Sequence, residues 1–159
     1  MGNTYDIRRF QHSDAEEVSA LIIKTLRTTN SKDYPPEHIE NDVKAFTPKA
    51  VIARAEWTHF YVVCHESTIV GCGAIGPYWG KEDESCLFNI FVLPEYQNRG
   101  IGRKIMEALE QDAYFFRAGR IEIPASITAC GFYQKMGYTY KNGIAVVDEE
   151  GLYRLEKFR

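Results

Sequence analysis

Val92-Leu93-Pro94-Glu95-Tyr96-Gln97-Asn98-Arg99-Gly100-Ile101-Gly102-Arg103 decides the fold. A β-rich run ends in a proline-led turn, and beyond Gly100 apolar residues recur at helical spacing. A helix that opens on Gly-x-Gly aims unpaired backbone N–H groups and the positive end of its dipole at one small volume. Such a place binds phosphate or pyrophosphate. Glycine lets phosphate approach where a Cβ would obstruct it. The pattern is neither a dinucleotide fingerprint, since Ile105 stands at the third glycine position, nor a Walker loop, since no Gly-Lys-Ser/Thr follows.

Working outward, residues 85–92 read as the strand that feeds this turn. Upstream, 59–65 and 69–75 are β-rich runs joined by Glu66-Ser67-Thr68, a predicted hairpin, followed by a loop holding Gly76, Pro77, Tyr78, Trp79 and Gly80. Residues 5–10 form a first strand, and Ser13-Asp14-Ala15-Glu16 reads as a capping box, Ser13 bonding forward and Glu16 reaching back. Ala15, Val18, Ile22 and Leu26 then repeat at helical spacing until Asp33-Tyr34-Pro35-Pro36 breaks the pattern. Ile39, Val43 and Phe46 mark a second helix, and Thr47-Pro48 opens a third.

Downstream, the spacing predicts one helix over 100–118 with Ile101, Ile105, Ala108, Leu109, Ala113 and Phe116 facing inward. A short strand at 120–123 and a helix over 126–136, ended by Gly137, follow. Residues 138–141 and 152–158 are the last strands, with the turn between them placed at Glu150-Gly151 rather than Asn142-Gly143. The expectation is a single domain over 1–159 of the α/β (α+β) class, a mixed, mostly antiparallel sheet flanked by helices.

At 159 residues the chain supports one substantial core, and its 45% hydrophobic and 13% aromatic content excludes disorder. A formal charge of −3 gives no general attraction to nucleic acid. No apolar run reaches the length of a membrane span, and the N-terminus lacks a signal-peptide core, so a cytoplasmic location is expected. Cys64, Cys72, Cys86 and Cys130 form no Cys-x-x-Cys pair and share no ligand spacing with the histidines, so free thiols and no metal site are expected.

Gln97-x-x-Gly100-x-Gly102, preceded by Val92-x-Pro94, resembles the pyrophosphate loop of the GNAT acetyltransferase superfamily, which transfers acetyl groups from acetyl-CoA. A second segment, Phe132-Tyr133-Gln134-Lys135-Met136-Gly137-Tyr138, resembles that family's other signature. On helical geometry Ala129, Tyr133 and Met136 share a face, which turns Tyr133 inward. The resemblance implies a GNAT-like fold and an N-acetyltransferase acting on a primary amine by direct transfer, with a weakly catalytic acyl-CoA-binding or sensor module as the alternative. It implies Tyr133 as the acid that protonates the leaving thiolate. It places pantetheine along the backbone of Ile90, Phe91 and Val92, and the diphosphate on Gln97, Asn98, Arg99, Gly100, Ile101, Gly102 and Arg103. Ser126 stands where many members carry a cofactor-contacting Asn, and it reads equally well as an N-cap.

The general base departs from the family pattern. Cys86 and Pro124 occupy positions that carry glutamate in relatives, which leaves Glu84, Glu122 or water, and Glu84 is the named candidate. The acceptor, a small-molecule or peptide amine, would meet the wall built from Asp33, Tyr34, Tyr78, Trp79, Glu82, Asp83 and Glu84. Carboxylates with aromatics suit a cation. No nucleic-acid or membrane partner is expected, and a homodimer is left open.

Overall fold

The two β-rich runs flanking Glu66-Ser67 pair as an antiparallel hairpin, β2 (His59–His65) with β3 (Thr68–Pro77), turning through Glu66 at φ 59°. The computed structural model describes residues 4–159. Around the hairpin a seven-stranded sheet runs in the order β1-β2-β3-β4-β5-β7-β6, where β1 is Asp6–Arg9, β4 Glu84–Val92, β5 Arg120–Ser126, β6 Thr139–Tyr140 and β7 Leu152–Phe158. Among the described residues only β4 and β5 are parallel neighbours. Gly76 and Pro77 extend β3 instead of opening a loop, because both continue the pairing with Cys86 and Ser85.

One face of the sheet is covered by α1 (Ala15–Thr28), α2 (Pro36–Lys44) and α3 (Pro48–Trp57), whose Val18, Ile22, Leu26, Ile39 and Val51 pack on Phe60, Val62, Cys72 and Ala74. The predicted cap of α3 is present, Thr47 accepting from the Ala50 N–H at 3.2 Å. At α1 the cap lies two residues earlier than expected: a short 3-10 turn over His12–Asp14 leads into the helix from Gln11, whose N–H donates to the Asp14 carboxylate at 2.8 Å, while Arg8 holds the same carboxylate.

The other face carries α4 (Ile101–Leu109). Its Ile101, Ile105, Met106 and Leu109 are buried against the sheet, each such side chain contributing about 1.5–3 kcal/mol. Gly73 admits this close approach, since a Cβ there would lie 2.6 Å from Ile105. The predicted long helix ends early. Asp112 accepts from the Tyr114 N–H at 2.8 Å and restarts the chain as α5 (Ala113–Phe116), a short polar side chain outcompeting the helical ladder. Phe115, not Phe116, is then the buried residue, and Ala113 is exposed. β5 likewise continues to Ser126, so α6 (Cys130–Lys135) is shorter than expected. Gly137 closes it at φ 99° as predicted. The link from β6 to β7 is a long loop that turns at both candidate places, Lys141–Gly143 and Asp148–Gly151.

β4 and β5 pair only at Glu84–Arg120, Ser85–Ile121 and Cys86–Glu122, then part. Two features of the sequence open them. Asn89 adopts φ 54° inside a bulge, so that Asn89 and Ile90 stand opposite Gly73 alone. Pro124 has no N–H to donate and belongs where a strand lacks a neighbour.

The closed end is locked by charge. Arg120 binds Glu84 at 2.8 Å, Glu156 at 2.8 Å and Glu122, and Lys141 binds Glu122 at 2.9 Å. Burial alone would raise the Glu122 pKa, but the hydrogen bonds from Arg120 and Lys141 outweigh it and hold the group below its ordinary 4.5. Its contribution to stability is therefore complete above pH 4.5 and is lost as the pH falls below that value. Glu122→Gln should cost about 2 kcal/mol at pH 7 by urea unfolding, with the gap to wild type narrowing on acidification. An unchanged midpoint at both pH values would contradict this account of the closed end.

Candidate active site

Where β4 and β5 part, a cleft of about 1010 Å³ opens, large enough for a cofactor-sized ligand. Its floor is the run from Leu87 to Val92 on one side and Ile123, Pro124 and Ser126 on the other. The edge of β4 that faces β5 beyond Cys86 has no strand partner, so its main-chain groups can accept an extended ligand as a further strand.

At one end stands the N-terminus of α4. Gly100 is the cap at φ 81°, a left-handed conformation that favours glycine, and a Cβ there would meet no heavy atom within 4 Å. The first helical hydrogen bond runs from the Lys104 N–H to the Gly100 carbonyl, which leaves the amides of Ile101, Gly102 and Arg103 without helical acceptors. Gly102 serves packing: a Cβ there would lie 3.2 Å from the Phe132 ring. Gln97 fastens the turn to the strand, its Nε2 donating to the Val92 carbonyl and to Thr29 Oγ1, each at 3.1 Å.

Tyr133 reaches the cleft from α6 and is 5% exposed. The described residues give its hydroxyl no hydrogen bond. Burial, reinforced by the nearby Cys72, raises its pKa well above the usual phenol value of 10.0, so it stays protonated through the neutral range. None of the four cysteines lines the cleft, and burial pushes the Cys72, Cys86 and Cys130 thiols up.

A match to the model of the acetyltransferase (GNAT) family spans residues 23–138, which includes the bulged strand, the α4 loop and Tyr133. The chain belongs to the GNAT family. It is 34% identical over 79 residues to an uncharacterized N-acetyltransferase of Chlorobaculum tepidum, a match covering 50% of this chain and 48% of that protein. It is 24% identical over 139 residues to the uncharacterized N-acetyltransferase YafP of Escherichia coli, covering 86% of this chain and 82% of the relative. Its fold superposes on PaiA N-acetyltransferase from Thermoplasma acidophilum, solved with coenzyme A, at a TM-score of 0.82 and 18% identity, covering 98% and 99% of the two chains.

Within this GNAT framework the structure brings together most of the residues singled out by sequence. Ile90, Phe91, Val92, Gln97, Asn98, Gly100, Ile101, Gly102, Arg103, Ser126 and Tyr133 all line the cleft. Arg99 does not, and its guanidinium lies 5.0 Å over the Tyr96 ring. Ser126 Oγ accepts from the Ala129 N–H at 3.1 Å, the capping geometry, while still facing the cleft. Glu84 and Glu122 lie at the closed end, ion-paired and outside the cleft lining. Strand alternation placed them on a face but could not say which end of the sheet opens.

The acceptor wall differs from the sequence reading in the same way. Tyr34 and Trp79 line the cleft, but Tyr78, Glu82 and Asp83 do not, and Asp33 instead accepts from Thr128. Tyr34 ties the wall together, donating to the Gly151 carbonyl at 2.6 Å and accepting from the Ile127 N–H at 2.8 Å. The carboxylates that do line the cleft are Asp42 and Glu150. Burial raises the Asp42 pKa, the His38 imidazole 3.2 Å away opposes that rise, and Glu150 adds to it. The sequence reading also missed Arg54 and Asn89, although an asparagine in the middle of an apolar strand is a legible sign of a bulge.

Gly100→Ala should weaken coenzyme A binding at least fivefold by calorimetry, because alanine in the left-handed region costs about 1–2 kcal/mol and tilts the α4 amides. Unchanged affinity would remove the α4 amides from the ligand site.

Proposed function

We propose that the chain is an acetyl-CoA-dependent N-acetyltransferase that moves an acetyl group directly to a primary amine. The observation that carries this reading is the shared cleft: orphan amides of α4, an unpaired strand edge and an unpartnered, protonated Tyr133 face one volume. Its family membership and the coenzyme A bound by its structural relative PaiA support the same reading.

The α4 amides and Arg103 hold the diphosphate, assisted by the turn residues Gln97 and Asn98, and the Ile90–Val92 backbone lies along pantetheine. Bound there, acetyl-CoA supplies the thioester carbonyl that a neutral amine attacks, the C–N bond forming as the C–S bond breaks. Tyr133 donates its proton to the departing sulfur, a contribution of about 10²–10⁴-fold for general acids. Backbone N–H groups at the Asn89–Ile90 bulge stabilise the developing negative charge on the carbonyl oxygen. The amine's surplus proton passes to Asp42, which burial makes a stronger base than an ordinary carboxylate. Glu84 is assigned to the ion-pair cluster instead of to catalysis. Direct transfer is supported by the absence of any cleft-lining cysteine among the described residues.

Tyr133→Phe should reduce kcat at least tenfold while leaving acetyl-CoA affinity within twofold, read by thiol release and calorimetry. Equal loss of both would give the hydroxyl to the fold. Wild-type kcat should rise with pH as the amine and Asp42 lose protons, then hold to about pH 10, because Tyr133 titrates above its ordinary 10.0. Binding of acetyl-CoA with no thiol release to any amine would favour the binding-module alternative.

A further inference from the structure

Arg54 is the half-buried charge in this cleft that no acidic side chain among the described residues answers. It projects from α3, is half-buried, and lines the cleft beside the β4 bulge. Its Nη1 donates to Asn89 Oδ1 at 3.0 Å, and its guanidinium lies 4.9 Å over the Phe46 ring. Asn89 and Phe46 are both neutral. No aspartate or glutamate among the described residues comes within ion-pair distance of it. Of the other arginines that line the cleft, Arg103 stands exposed in the first turn of α4, and Arg154 is committed to Asp148 at 2.8 Å and to Glu122 and Glu150 further out. A guanidinium taken out of water without a counter-charge is costly, and an anion brought in by a ligand removes that cost.

Resting on the reading of the chain as an N-acetyltransferase, we infer that the acceptor is an amine that also carries a carboxylate, which Arg54 binds. A single guanidinium fork matches a monoanionic carboxylate in charge and in planar geometry. A phosphate dianion would call for a second free cation, and Arg154 is already paired. Trp57 and Trp79 flank Phe88 at ring separations of 5.2 and 5.9 Å, an apolar surface for the acceptor's hydrocarbon part. Trp79 remains 63% exposed, leaving that surface open to a ligand. Asp42 and Glu150 supply negative charge in the same cleft for the ammonium before it gives up its proton. A site with both signs of charge selects a zwitterion over a polycation.

The test uses the full chain, with acetyl-CoA binding measured first by calorimetry. Thiol release is then read with apolar α-amino acids, β-alanine and γ-aminobutyrate, each beside its own amide, and with spermidine. The wild type should favour carboxylates over the matched amides at least tenfold in kcat/KM. Arg54→Met should abolish that preference through KM while acetyl-CoA affinity stays within twofold. Arg54→Lys, which keeps the charge but not the fork, should retain part of the preference and covers the case in which the methionine variant does not fold. Preference for amides or spermidine, or a discrimination that survives in Arg54→Met, would each overturn the carboxylate assignment. Failure to bind acetyl-CoA, or binding with no transfer to any acceptor, would instead overturn the acetyltransferase reading beneath it, and the assignment with it.

Discussion

The parting of β4 from β5 is the constraint on which the rest of the molecule depends. Parallel neighbours in a sheet ordinarily satisfy each other's main-chain groups along their length, and here they do so for three residue pairs only. Beyond Cys86 the edge of β4 is left with polar groups that a ligand can satisfy, in the manner of an added strand. The bulge at Asn89 and the missing N–H of Pro124 open the strands, and the cluster around Arg120 and Glu122 holds them together at the other end. Closing the splay would forfeit the site, and loosening the ionic cluster would let the two halves of the sheet slide.

Charge is distributed along the cleft in an order that suits the proposed reaction. At the α4 end the amides of Ile101, Gly102 and Arg103 present partial positive charge without a side chain having to move. In the middle Tyr133 is neutral and unpartnered, ready to give a proton where sulfur gains charge. Arg54, Asp42 and Glu150 mix both signs of charge among the aromatic rings of the same cleft, which suits them to hold the proposed acceptor and, at Asp42, to take its proton. Rigid packing supports each station. α4 lies close on β3 over Gly73, and Tyr34 bolts the α2 wall to the ends of β5 and β7.

Much of the fold was legible because apolar periodicity and turn chemistry act locally. The hairpin, the first three helices, the glycine cap of α4 and the Gly137 stop could be placed within a few residues. Errors arose where one side chain outweighs a periodic pattern. Asp112 ends α4 although the apolar spacing runs on, and Asp14, binding the Gln11 N–H, moves the start of the first helical segment ahead of Ser13. The half of the candidate site proposed for the cofactor lines the cleft much as the sequence suggests, because its groups belong to the backbone of one contiguous segment. The acceptor half was not, since Glu84 is excluded, and Arg54 left without a counter-charge, only by the arrangement of distant strands.

The central claim is that one groove, built from the free edge of β4 and the α4 amides, receives coenzyme A. Backbone amide resonances followed through a titration with coenzyme A, and then with pantetheine, test it most directly. Coenzyme A should move Ile90, Phe91 and Val92 together with Ile101, Gly102 and Arg103, whereas pantetheine, lacking the diphosphate, should move only the strand residues. Loop amides that stay still under coenzyme A while signals elsewhere in the protein shift would contradict the account.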